Sequence, residues 1–252
     1  MPVITGTIMP VTGSKSQATQ NLSIRKNADG FSLYIYNQSD SAPLQVEDVH
    51  PRGNQKPIEA LQQALMRPRG MEFHFAEVRL LSDEPCTFLP LEEFRSNDIA
   101  TYYFLNFPES KFKPTEVCYD ILAQLEVVVL YVMDAQTVQT VMNIFPEAKV
   151  CSQTGILLEK FAEVNRRSKE TILHFYVQVQ EHQMLLALFL QGQLRFACNY
   201  AVSNDPDRLY YLLSVWKNME LDGEKHRCTM YGASDVLIAN VRKYVRNVVF
   251  IA

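Results

Sequence analysis

Hydrophobic and polar positions alternate most clearly between residues 171 and 200. Leu173, Phe175, Val177 and Val179 are interleaved with His174, Tyr176 and Gln178, the period of two that gives a strand one well-buried face. Met184 to Leu190 is continuously apolar, as expected of an inner strand covered on both sides. After a turn at Gly192 the alternation resumes through Leu194, Phe196, Cys198 and Tyr200, so the three runs predict a meander. The period then lengthens. Leu209, Leu212, Leu213, Trp216 and Met219 share one helical stripe, with Asp205 placed to cap and Pro206 suited to the first turn. "RCTMYG" reads as a short strand, and Leu237, Ile238, Val241, Tyr244 and Val245 form a second stripe. The order is βββαβα, with a closing "VVFIA" too short to assign.

The same order occurs about 150 residues earlier. "LSIRK", "FSLYIYN" and "LQVEDV" predict three strands, "PIEALQQALM" a helix turning Ile58, Leu61 and Leu65 inward, and "FHFAEVRLL" a fourth strand. "CTFLPL" predicts another strand, and "SNDIATYYFLNF" a helix that Ser96 is placed to cap. "TEVCYDILAQLEVVVLYVM" reads as two strands joined by a short turn, and Asp134 as the cap of a helix carrying Val138, Val141, Met142 and Phe145. "AKVCS" and the helix "TGILLEKFAEVNRR" lead into the second copy. The expected organisation is an N-terminal arm over 1–20, a first half over 21–168 with an inserted subdomain at about 113–152, and a second half over 169–252.

Composition narrows the class. The chain has 252 residues, 47% of them hydrophobic, enough for a sizeable core. A formal net charge of −4 without a Lys/Arg block gives no electrostatic footprint for nucleic acid or an anionic membrane. Pro2, Pro10 and two glycines interrupt the first twenty residues, so the expectation is cytoplasmic, without a signal peptide. "HQMLLALFLQGQL" falls short of the roughly 20 residues that cross a bilayer, so direct membrane insertion is not expected. The five cysteines, Cys86, Cys118, Cys151, Cys198 and Cys228, contain no C-x-x-C pair and read as small core residues. His50, His74, His174, His182 and His226 show no metal-ligand spacing, and no metal is expected.

A duplicated βββαβα unit resembles the actin-like ATPase fold, whose halves each carry a ribonuclease-H-like sheet. The insertion before the second copy is similar to that of PilM-like and FtsA-like proteins. "LSIRKNADGFSLYIYN", with "LYYLLSVWKNMELD" and "VRKYVRNV", looks like an uncharacterised family of actin-like-fold proteins from Bacteroidetes. The fold class expected is therefore α/β, two ribonuclease-H-like halves with a small inserted subdomain in the first.

The resemblance directs attention to phosphate-binding turns. Active members carry an acidic residue and glycine near the first turn of each copy, so that backbone N–H groups approach phosphate and the carboxylate orients metal-bound water. Here Arg25, Lys26 and Asn27 end the first strand, and Asp29 and Gly30 are adjacent, as in an Asp-Gly hairpin turn. The corresponding turn of the second copy offers Gln178, Gln180, Glu181, His182 and Gln183 without glycine. The adenosine-contacting loop of the superfamily is matched by Gly232, Ala233 and Ser234, one glycine where a pair is usual. Asp29, Gly30, Gly232 and Ser234 are thus the candidate cleft residues, and no catalytic residue is nominated.

Other motifs add little. "TGSKS" lacks the spacing of a P-loop, and neither G-x-G-x-x-G nor G-x-S-x-G occurs. Asp48, Glu77 and Asp120 lie on strand-like segments, where a two-metal nuclease would need them to converge. Tyr102 or Tyr103 and Tyr210 or Tyr211 exceed what one helical stripe buries, as inter-element packing or as a partner surface. The reading that follows is a non-catalytic actin-like-fold scaffold or protein-interaction module with a protein partner and no cofactor. Its rival is a divergent Mg-ATP-binding switch using the inter-domain cleft.

Overall fold

The computed structural model describes residues 20–27, 30–37, 43–67, 75–168 and 171–251. The arm before Gln20, "TGSKS", Asp29, His74 and the 168/169 boundary's Lys169 lie outside them.

The first half opens with β1 (Gln20–Asn27), β2 (Gly30–Asn37) and β3 (Gln45–Val49), an antiparallel meander. α1 (Pro57–Met66) follows, with proline in its first turn where the missing N–H costs nothing. β4 (Phe75–Ser82) then returns parallel to β1. The chain leaves this sheet for β5 (Thr87–Pro90), α2 (Ile99–Asn106), β6 (Val117–Leu122) and β7 (Val127–Val132), whose strands form a separate sheet ordered β5-β7-β6. It comes back through α3 (Ala135–Ile144) and β8 (Lys149–Ser152), which pairs parallel with β4. α4 (Gln153–Ser168) crosses to the second half.

The second half repeats the plan: β9 (His174–Val179), β10 (Gln183–Leu190), β11 (Gln193–Ala201), α5 (Asp205–Asn218), β12 (Arg227–Tyr231), α6 (Asp235–Val241) and β13 (Asn247–Ile251). Its sheet order, β11-β10-β9-β12-β13, repeats the β3-β2-β1-β4-β8 of the first half strand for strand.

Several boundaries differ from the sequence pattern. The separate sheet begins at Thr87, well before residue 113, and β8 belongs to the first-half sheet; a short apolar strand does not reveal its neighbour. α2 starts at Ile99 without a capping side chain, so Ser96 lies in the turn before it. Asn204, not Asp205, caps α5 by accepting from the Asp207 N–H. Asp134 caps α3 as expected, accepting from the Thr137 N–H. "VVFIA" contributes the edge strand β13.

Each half has its own core on its outer helical layer. Leu22, Ile24, Leu33, Leu61 and Leu80 fill the first, and Phe175, Val177, Leu186, Leu212 and Met230 the second. A third core joins them. β7 is buried along its whole length because its two faces serve different clusters. Val128, Leu130 and Val132 pack under α2 with Tyr103, while Val127, Val129 and Tyr131 meet α4 and the second sheet. On α4, Phe161 lies stacked on Tyr176 at 4.8 Å and on Tyr231 at 5.2 Å. The deep part of the boundary between the halves is therefore filled with apolar side chains, among them Leu158, Leu185 and Phe189.

Candidate functional site

In open α/β sheets ligands bind beyond the carboxyl ends of the strands. The ends of β1 and β4 from one half and the β9–β10 turn from the other meet there, around a cleft of about 530 Å³. Its lining comprises Arg25, Lys26, Asn27, Asp83, Glu84 and Pro85 from the first half, and Gln180, Glu181, His182 and Gln183 from the second.

Asp83, just past the end of β4, ties the halves together. Arg25 Nη2 lies 2.8 Å from its Oδ2, both side chains about a quarter exposed. From across the cleft Gln180 Nε2 donates to Asp83 Oδ1 at 3.0 Å, and Gln183 Nε2 to the Asp83 carbonyl at 2.8 Å. The Gln183 side-chain oxygen, Oε1, accepts from Asn199 Nδ2 at 2.8 Å, extending the network into β11. Lys26 is held between Glu84 at 3.4 Å and Asp134 at 3.2 Å. Burial works to raise the Asp134 carboxyl, but the two Thr137 hydrogen bonds and Lys26 outweigh it and hold it below its usual value. Each cation facing the cleft already has a carboxylate beside it.

The turn on the second-half side is equally fixed. Arg208 of α5 donates from Nη2 to the carbonyls of Gln180, at 2.7 Å, and Glu181, at 2.9 Å, and pairs through Nη1 with Asp205 at 2.9 Å. Ser234 donates to Asp205 and accepts from the Leu237 N–H at 3.0 Å as the cap of α6. The Ser234 hydrogen bond, with Arg208, holds the Asp205 carboxyl below its ordinary value against the opposing effect of burial. One chain of contacts thus joins the starts of α5 and α6 to the β9–β10 turn.

Among the described residues nominated from the sequence, Gly30, Gly232 and Ser234 do not line this cleft. Gly30 is the first residue of β2 and pairs with Asn27, the last residue of β1. A Cβ on it would stand 2.2 Å from the Val49 carbonyl oxygen, so its missing side chain makes room for β3. Gly232 has φ +64°, and a Cβ there would come within 2.6 Å of the Val179 carbonyl oxygen. Both glycines accommodate the protein's own backbone, Ser234 serves α6, and Asp29 lies outside the described residues. Asp83, which the sequence reading passed over, is at the centre. The local cue to it is its position immediately after the strand that follows the first helix.

Asp48, Glu77 and Asp120 have separate partners. Asp48 accepts from Ser32, Glu77 pairs with Arg79 and Lys149 at 2.8 and 2.9 Å, and Asp120 accepts from Tyr131 and from the Ser152 N–H. Among the described residues no three His, Cys, Asp or Glu side chains are arranged to hold a metal. All five cysteines are free thiols, each pushed up by burial, Cys86 and Cys151 to about 11. Tyr103 is buried, while Tyr210 is exposed beside Tyr211, which stacks on Tyr200 at 4.5 Å. No helix among the described residues is long and apolar enough to cross a membrane.

The chain is similar to a Bacteroides thetaiotaomicron protein with actin-like ATPase fold and unknown function. The two are 26% identical over 93% of this chain and 91% of that one, with a TM-score of 0.78. It is also similar in fold to the PilM-PilN type IV pilus biogenesis complex, at 11% identity over 93% of this chain and 88% of that one, with a TM-score of 0.55. No curated protein matches it. The profile of a family described as "Protein of unknown function (DUF3822)" matches residues 12–248.

Proposed function

The chain belongs to the DUF3822 family and has the actin-like ATPase fold, and on that premise we propose that it is a non-catalytic scaffold or protein-interaction module. Its cleft is held by side chains instead of a nucleotide. The observation that carries this reading is the Asp83 network: the groups best placed to meet a phosphate, Arg25 and Lys26, are paired with carboxylates, and Asp83 is claimed from both halves. A polyphosphate entering the cleft would meet the carboxylates of Asp83, Glu84 and Glu181 against the cations of Arg25 and Lys26. Like charges at these separations oppose binding. The two amides of the cleft, Gln180 and Gln183, are both turned to Asp83 through their Nε2 atoms.

The rival, a divergent Mg-ATP switch, is favoured by the cleft's volume of about 530 Å³, which is within the usual range of ligand sites. A thermal unfolding scan with and without millimolar Mg-ATP, Mg-ADP and Mg-GTP separates the two. Ligand at a hundredfold over its Kd adds roughly 2.7 kcal/mol, and a chain of this size moves its midpoint about 2–4 °C per kcal/mol. The scaffold reading expects no shift with any nucleotide. A shift of several degrees that Asp83→Ala alters would establish the switch.

A further inference from the structure

The strand edges of the molecule are not treated alike. An open edge presents unpaired N–H and C=O groups, and proteins blunt such edges with charge, proline, irregular register or short length. β3 carries Glu47 and Asp48, β6 carries Asp120, β5 ends in Pro90, β8 has four residues and Lys149, and β11 carries Arg195 beside a break in register. β13 has neither charge, proline nor irregular register. Its five residues, Asn247, Val248, Val249, Phe250 and Ile251, contain no charge and no proline, and pair with β12 in unbroken parallel register. Among the described residues no strand covers its outer side. Val249, Phe250 and Ile251 are 41, 39 and 44% exposed, so both faces of the open strand are apolar.

We propose that the β13 edge is a docking site for an extended segment of another protein, which adds to the second-half sheet as a sixth strand. The segment is apolar along its length and acidic at the end lying beside Arg246. Two observations select this occupant. Arg242, Lys243 and Arg246 are exposed immediately before β13. Among the described residues Arg246 is paired with Glu224, both about 70% or more exposed, an arrangement of little intrinsic worth that an acidic partner can exchange. A second copy meeting β13 edge to edge would bring those cationic segments into the same interface. A separate extended segment can instead place an acidic residue there, with backbone hydrogen bonds supplying affinity and alternate side chains specificity.

Docking at β13 presumes the interaction-module reading above, whose own test is nucleotide binding. A chain that ignores nucleotides and also takes up no strand loses the edge assignment alone. The experiment selects a display library of random peptides on the intact chain and measures the enriched peptides by fluorescence anisotropy. Enriched sequences are expected to be apolar with acidic residues toward one end, and to lose affinity about tenfold or more, equivalent to roughly 1.4 kcal/mol, on Val249→Lys or Ile251→Lys. Tyr210→Ala, on α5 beside the Tyr211 that stacks on Tyr200 of the opposite edge strand β11, is expected to leave binding unchanged. Slowed hydrogen exchange at β13 amides on peptide addition supplies a readout independent of the variants. The proposal is overturned by any of three results: no enriched peptide, enriched peptides indifferent to both lysine variants, or self-association of the wild-type chain that Val249→Lys abolishes.

Discussion

Replacing His174 with phenylalanine removes a proton acceptor from the centre of the second sheet while keeping a ring in place. His174 is 4% exposed, its Nε2 lies 2.7 Å from Thr229 Oγ1, its ring stacks on Tyr176 at 4.1 Å, and its Nδ1 is buried without a hydrogen bond. Burial, helped by Arg227, lowers its pKa from 6.5 to about 4. The folded value lies below the unfolded one, so the stability due to the neutral ring is complete above pH 6.5 and is lost as pH falls toward 4. Between pH 7 and pH 5 the linkage amounts to about 2 kcal/mol, which lowers the midpoint by roughly 4–8 °C in a chain of this size. Burial raises the Asp120 pKa despite the Ser152 and Tyr131 hydrogen bonds, and so acts in the opposite sense. The assay is therefore the difference between wild type and His174→Phe in thermal scans at each pH. The variant starts lower at pH 7, because Thr229 loses its partner, at about 1–3 kcal/mol, and then falls less steeply. Parallel pH profiles for the two proteins would refute the reasoning.

Three further outcomes follow from the packing. Phe161→Ala removes the ring stacked on Tyr176 and Tyr231 and should cost about 3–5 kcal/mol, measured by urea unfolding; a loss below about 1 kcal/mol would mean that the joining core is not load-sharing between the halves. Gly30→Ala should destabilise far more than Gly53→Ala, since the first meets the Val49 carbonyl and the second, at φ +57°, has nothing within 4 Å; equal midpoints would contradict the close approach. In native protein at pH 8 the five thiols, all shifted upward by burial, should react with a thiol reagent more slowly than in denaturant, and a fast-reacting native thiol would contradict that environment.

The meander and helical stripes were legible because alternation and helical periodicity record which face is buried. Val177 and Leu186 announce their sheet in this way, and the repeated element order announces the duplication. What periodicity does not carry is the identity of the neighbour. β8 reads as a short apolar strand whether it joins β4 or β6, and β7 is apolar on both faces without stating that two different layers cover it. The cleft was half visible. The absence of glycine from "QEHQ" could be read directly, but Gly30 and Asp29 drew attention as an adjacent pair, and only the register shows Gly30 inside β2. Asp83 escaped because its partners Gln180 and Gln183 lie about 100 positions along the chain, and no local pattern links them.

In the proposed reading the Asp83 network, and not a nucleotide, holds the cleft. Titration calorimetry of Mg-ATP into the wild-type chain tests it most directly, with Asp83→Ala as the companion. No saturable heat is expected from the wild-type chain at millimolar nucleotide. A single-site isotherm from the wild-type chain, abolished or strengthened in Asp83→Ala, would contradict it and return the cleft to nucleotide chemistry.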